Sequence, residues 1–218
     1  MVLAAIVLVA VKGLIDIREL RHVWRVSRYE FAVSMVAFAA VLLLGILKGV
    51  IVAVLVSVLL LIRHAAHPHV AVLGRIPGTS RYSDLERHPD NEMTPGVLIF
   101  RIEASLLYFN AEHVRATVWT KIRACATPVR LLICDLSASP VVDLAGARML
   151  STLASALSAA GMRLRIIAAH ADARDMLRAE GLEEHVGHLS RRTDVDDVIG
   201  EFLRDTCIKA SPNQGERT

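Results

Sequence analysis

Hydrophobic and polar positions are distributed very unevenly along this chain of 218 residues. From Phe31 to Ile62 runs a stretch of 32 positions whose only charged residue is Lys48, and Val2 to Val11 is wholly apolar. From Val97 onward the pattern changes to short apolar runs alternating with amphipathic ones. Val97 to Glu103 reads as a strand, and Ala111, Val114, Val118 and Ile122 form one helical stripe opened by Asn110 as its cap. Arg130 to Leu136 is an almost continuous apolar strand of the kind buried on both faces. Asp143 then stands where a carboxylate can cap a helix whose stripe is Leu150, Leu153, Ala154 and Leu157, with Gly161 ending it. Leu164 to Ala168 predicts a further strand, followed by a helix from Asp172 toward Gly181. Thr193 caps a last helix bearing Val195, Val198, Ile199, Phe202 and Leu203. Strands alternating with helices in this way predict a small α/β domain, its helices packed on a mixed or parallel sheet.

The long apolar stretch sets a length problem. As one straight helix it would reach about 48 Å, against a hydrocarbon core of about 30 Å. Positive charge flanks it on both sides: Lys12, Arg18, Arg21, Arg25 and Arg28 before, and Arg63, Arg75, Arg81 and Arg87 after. Both flanks therefore carry the cytoplasmic signature, which a hairpin satisfies and a single span does not. The sequence predicts a turn at Gly45 to Gly49 around Lys48, with arms 31–44 and 50–62 that are short for independent spans and so belong to a larger helical assembly. The glycine pair also has the spacing that permits close helix approach; the plainer reading is a turn. Residues 1–15 are expected to form a membrane helix, and 16–30 an interfacial helix with Ile17, Leu20, Val23 or Trp24 set among arginines. Residues 63–95, rich in proline and glycine, read as an extended linker in which His64, His67 and His69 are solvated. The expected organisation is a partial transmembrane region over 1–62, the linker 63–95, the α/β domain 96–207 and a disordered tail 208–218; residues 90–208 alone should then fold.

Composition follows this division. The chain is 54% apolar and 22% charged, with a net charge of +3. Ten Lys/Arg stand against seven Asp/Glu up to Pro95, and fifteen against fifteen afterwards, so all the excess charge lies beside the apolar runs. The basic residues do not interleave with aromatics along one face, so nucleic acid is not an expected partner; membrane lipid is. Cys125, Cys134 and Cys207 have no metal-type spacing, which leaves neither a zinc site nor a disulfide framework. Paired carboxylates, a nucleophile elbow and a glycine-rich phosphate loop are missing in recognisable form, so no catalytic residue, metal or cofactor is assigned and the chain is not read as an enzyme. Asp135 and Asp143 are structural groups by this reading, and Cys134 is core.

Two motifs carry a resemblance. Leu107-Tyr108-Phe109-Asn110-Ala111-Glu112, and the run Asp135-Leu136-Ser137 through Asp143-Leu144-Ala145-Gly146, resemble the STAS domain at the cytoplasmic C-terminus of sulfate permease (SulP) anion transporters. The first motif (Tyr108, Phe109, Asn110, Glu112) is characteristic of the transporter branch; the second (Asp135, Ser137, Asp143, Ala145, Gly146) is the STAS signature loop. The resemblance implies the last membrane segments of such a transporter joined to its STAS domain. The anion site of that family lies in segments this sequence does not contain, so a fragment or truncated gene, incompetent for transport alone, is expected. Its partners would be the remaining transporter core or a homodimer partner, and a regulatory protein on the STAS domain. It would reside in the inner or plasma membrane with the STAS domain cytoplasmic. A second reading is a membrane-tethered signalling protein of the anti-sigma-factor-antagonist type. In that class a serine before the glycine is phosphorylated; Ala145 stands there, without a hydroxyl. Ser137 and Ser139 are read as turn residues beside Pro140, and nucleotide binding is disfavoured because Asp143 would repel a phosphate.

Overall fold

The computed structural model describes residues 17–26, 28–190 and 193–210, in two compact units, residues 1–64 and 65–218. The helix expected over 1–15 lies outside the described residues.

The first unit is helical. Helix α1 (Ile17–Val26) is followed by α2 (Arg28–Leu44) and α3 (Ile46–Ala66). The stretch expected as an interfacial helix over 16–30 is described as helix up to Val26, and positions 28–30 belong to the helix of the long apolar arm. Trp24 of α1 meets Phe31 of α2 edge-on at 4.7 Å between ring centroids. The turn is also tighter than expected. Gly45 alone, at φ 81°, breaks the chain; an L side chain rarely adopts that conformation. Lys48 and Gly49 already lie in the first turn of α3, where the Gly49 amide donates to the Gly45 carbonyl at 2.8 Å. Gly49 serves close approach: a Cβ there would lie 2.4 Å from the Cα of Val41. With one residue in the turn the arms lengthen, and α3, at 21 residues, is long and apolar enough to cross a membrane.

The second unit begins at Ala65, 31 residues before the expected boundary at 96. The supposed linker supplies two strands, β1 (Val70–Arg75) and β2 (Tyr82–Asp84). They join β3 (Val97–Ile102), β4 (Leu131–Asp135) and β5 (Arg163–Ile167) in one sheet of order β2-β1-β3-β4-β5. β1 is interior to the sheet, pairing antiparallel with β3 from Val70↔Ile102 to Leu73↔Ile99 and with β2 at Leu73↔Asp84. β3, β4 and β5 are parallel, from Val97↔Leu131 to Arg101↔Asp135 and from Leu131↔Arg163 to Asp135↔Ile167. The sheet is therefore mixed.

Alternation places two cores on its faces. Leu98, Phe100, Ile102, Leu132, Cys134 and Leu164 point toward helices α4 (Ala111–Ala124), α5 (Leu144–Ala159), α6 (Ala171–Ala179) and the short α7 (Glu183–Val186). Ala71, Leu73, Val97, Ile99, Leu131 and Ile133 point the other way, against Val195, Val198, Ile199 and Phe202 of α8 (Val195–Ala210). Strands buried on both faces explain the unbroken apolar runs in the sequence. Arg163 and Arg165 stand on the α8 side of edge strand β5 and reach Asp205 at 2.8 Å and Glu201 at 2.9 Å. Asp194, rather than Thr193, immediately precedes α8 and accepts from the Val195 amide at 2.7 Å. Positions 208–210, expected in the tail, are still helical.

The linker histidines are placed too. His69 Nε2 lies 3.4 Å from Asp84 Oδ2, and the His67 ring meets that of His113 edge-on at 4.8 Å; both are exposed to solvent, as expected, but each also has a neighbour. The Tyr82 hydroxyl donates to Asp196 at 2.5 Å, linking β2 to α8. Partial burial, reinforced by that carboxylate, pushes the Tyr82 phenol well above its ordinary value.

Candidate functional site

The two sequence motifs meet at the carboxyl ends of β3 and β4, the end of an open α/β sheet where loops gather. After Ile102 the chain loops to α4; after Asp135 it loops to α5. An isolated parallel bridge joins Leu106 to Val142. The Leu106 amide donates to Val141 at 2.9 Å and the Asp143 amide to Leu106 at 3.1 Å.

Asp143 is the centre of this clasp. Its Oδ1 accepts from the Gly146 amide at 2.8 Å, capping α5 as the sequence predicted, while Oδ2 accepts from the Tyr108 amide of the other motif at 2.7 Å. One carboxylate thus ties a helix start to a loop 35 residues away. Gly146 completes it by closeness, since a Cβ there would sit 2.8 Å from the Leu106 carbonyl oxygen. Ala145 before it is half-buried and offers no hydroxyl.

Asn110 departs from expectation. It precedes α4, but its side chain makes no cap bond. Fully buried, it accepts from the Leu107 amide at 2.9 Å and donates to the carbonyls of Ser105 at 3.0 Å and Ala65 at 3.3 Å. Both of its amide donors and one lone pair of its oxygen are spent in this way, one of the donors on a residue 45 positions upstream. Asn110 fastens the loop to the start of the unit instead of capping the helix.

Asp135 is buried and satisfied. Arg101, its register partner across β3 and β4, approaches Oδ2 with Nε at 2.8 Å and Nη2 at 2.7 Å, and the Ser137 amide donates to Oδ1 at 2.8 Å. Cys134 beside it is buried, and desolvation, with the Asp135 charge behind it, pushes its thiol up, away from nucleophilic use. Ser137 is exposed, and its carbonyl accepts from His170 Nε2 at 3.2 Å, which places the proton on that nitrogen. Ser139 is buried, its hydroxyl lying 3.0 Å from the Ile102 carbonyl and 2.8 Å from that of Ala104. Glu112 faces solvent and pairs with Arg115 at 2.6 Å. Tyr108 is 75% exposed and meets the Phe109 ring edge-on at 5.3 Å. Around it Val141 and Leu144 are exposed as well.

Of the signature residues Asp143 and Gly146 hold the two loops together, while Asp135 ties its loop to β3 and Asn110 ties its own to Ala65. Sequence reasoning missed Leu106 and Arg101, and read Ser139 only as a turn residue; an arginine within the apolar run of β3 was the one legible hint. Among the described residues no buried side-chain polar atom is left without a partner. The surface of this clasp presents the exposed aromatic and aliphatic tips of Tyr108, Val141 and Leu144.

A family model of the STAS domain matches residues 88–197, about half of the chain, and one of the sulfate permease family matches residues 1–37. The chain belongs to the STAS domain family. More particularly, it corresponds to the C-terminal portion of a SulP-type protein, apolar helices followed by a STAS domain, and the signalling-protein reading is not favoured. It is 34% identical over 185 residues to a probable sulfate transporter of Mycobacterium tuberculosis, covering 85% of this chain and 33% of that one. It is also 34% identical over 178 residues to sulfate transporter 2.1 of Arabidopsis thaliana, covering 76% and 26%. The chain therefore spans about a third of the length of the curated relatives it matches. Its fold is similar to that of the murine solute carrier 26 family member A9 anion transporter, with a TM-score of 0.69 and 24% identity over 84% of this chain and 30% of that one.

Proposed function

We propose that this chain is the assembly and regulatory end of a SulP-type anion transporter. The 34% identity to a probable sulfate transporter across 85% of the chain, helices and STAS domain together, carries this reading. Helices α2 and α3 anchor it in the inner or plasma membrane and pack against the rest of the transporter. The apolar groove between them, about 520 Å³ and lined by Ala37, Phe38, Val41, Val50, Ala53, Val54 and Ser57, is a seat for a neighbouring helix. The STAS domain lies in the cytoplasm, where the platform around Tyr108 and Asp143 contacts the transporter core, a second copy or a regulatory protein. The signature residues Asp135, Ser137, Asp143, Ala145, Gly146, Tyr108, Phe109, Asn110 and Glu112 shape that platform and do no chemistry. Anion passage belongs to other parts of the transporter, because Lys48 is the only charged side chain along the apolar arms from Phe31 to Ile62.

Replacing the homologous third of the mycobacterial protein by this chain tests the proposal through sulfate uptake in cells that lack their own uptake. Uptake should survive the exchange and fall when the STAS part is deleted from the hybrid. Uptake by this chain alone in liposomes, or a hybrid indifferent to the deletion, would overturn it. Thiol labelling at Lys48→Cys from outside the cell and at Arg75→Cys only from inside checks the topology.

A further inference from the structure

Helix α1 carries a feature that neither anchoring nor STAS docking uses. Arg18, Arg21 and Arg25 recur at i, i+3 and i+7, so at 100° per residue they fall within an arc of about 60°. All three side chains are exposed. Arg28, also exposed, follows at the start of α2. Over residues 18–30 these four arginines outnumber two carboxylates, Glu19 and Glu30. Beside the stripe Trp24 is 52% exposed while its ring rests edge-on against Phe31. That contact binds α1 to the first turns of α2, whose Phe38, Leu42 and Leu43 are exposed apolar groups.

We infer that the Arg18-Arg21-Arg25 stripe of α1 is a binding surface for the phosphates of anionic phospholipids. A patch of guanidinium groups takes phosphate by paired N–H donors whatever its carrier. Two observations select lipid over a soluble anion or an acidic protein. Arg25 lies only six residues before the apolar run that opens at Phe31, about two helical turns, so the stripe sits at the margin of the hydrocarbon. Trp24, with an apolar body and a polar edge, is the residue type that settles at that same level. An arginine near an anionic leaflet is worth about a fivefold gain in binding, which makes three worth on the order of 100-fold before salt screening. The inference rests on the membrane placement of α2 and α3 proposed above.

The test uses the full chain in phosphatidylcholine vesicles with and without phosphatidylglycerol. Quenching of Trp24 fluorescence by dibrominated phosphatidylglycerol is compared with quenching by dibrominated phosphatidylcholine, the Trp24→Phe chain giving the background from Trp119. Retention of the chain in the vesicles after alkaline washing reads membrane insertion separately. The expected result is a preference for the anionic lipid of tenfold or more at low salt, abolished in the triple variant Arg18→Gln, Arg21→Gln, Arg25→Gln and largely kept in the corresponding lysine triple. Insertion without lipid preference, or a preference the glutamine triple retains, overturns the lipid surface and leaves the membrane placement standing. Loss of the preference to inorganic phosphate beyond the effect of chloride at equal ionic strength would identify a soluble-anion site and overturn it too. A chain that washes off the vesicles defeats both readings together.

Discussion

Leu43 in α2 is 84% exposed and Leu132 in β4 is fully buried, although both lie in runs of similar apolarity. The helical unit presents its leucines, valines and isoleucines outward, while the α/β unit hides them on two faces of one sheet. The difference teaches that hydrophobic density alone does not say where a core will be. Strands at alternating register can bury every side chain between two layers of helix; an isolated pair of apolar helices leaves most of its surface for a partner or a bilayer to cover.

The boundary between the regions gives the largest expected effect. A chain beginning at Ala65 should fold cooperatively in solution. One beginning at residue 90 lacks β1, leaves the β3 edge unpaired and uncovers the core around Ile99, and should aggregate or unfold without a cooperative transition. Two matching urea curves would show that β1 is dispensable, against the structure.

Leucine truncation in each region sharpens the contrast. Leu132→Ala should cost about 3 kcal/mol in urea unfolding of the α/β unit, through lost burial and the cavity left behind. Leu47→Ala, at an exposed position in α3, should leave that curve where it was. Glycine substitutions probe closeness in the same paired way. Gly146→Val meets backbone at Leu106 and should cost about 3 kcal/mol in the α/β unit. Gly49→Val meets backbone at Val41 and should instead separate α2 from α3, read as a lost crosslink between cysteines placed at the groove-lining positions 37 and 53. If both chains kept wild-type behaviour, neither glycine would be a contact residue.

Asp143→Ala removes the α5 cap and the bond to Tyr108 together. A loss of about 2 kcal/mol is expected, with faster amide exchange at Tyr108 and Gly146 as the local signature; unchanged exchange at Tyr108 would break the clasp. Smallest is Tyr82→Phe, about 1 kcal/mol. Its pH dependence has a definite sign. The phenol's folded pKa lies above its ordinary 10.0, so the neutral form is the one folding favours. The contribution is whole below about pH 10 and is lost as pH rises above it. In the phenylalanine variant that alkaline decline should shrink, and an identical decline in both proteins would remove Tyr82 from the account.

Much of the architecture was legible. Strands β3 to β5 and helices α4, α5 and α8 follow from periodicity because each element's own residues decide it. β1 and β2 were not: Val70 to Leu73 is a short apolar run among prolines and glycines, and only pairing with β3 distinguishes it from a linker. Of the two helix-start residues, Asp143 was read correctly as a cap, since the cap bond is local. Asn110 was not, because Ala65, Ser105 and Leu107 take up its side chain, and no spacing in the sequence announces Ala65 as a neighbour. The neighbours of the histidines at 67 and 69 escaped for the same reason, lying 46 and 15 residues on.

The sequence by itself determined that two environments share this chain, that the second is an α/β domain, and that position 145, before Gly146, has no hydroxyl. Those conclusions depend on residue identity and on periods of two and 3.6, which are local properties. Only tertiary structure decided that the domain starts at Ala65, that one carboxylate serves both motifs, and that a single glycine turns the hairpin. Each of these is a contact or conformation selected by the packed whole, whose energy exists only once distant segments have met.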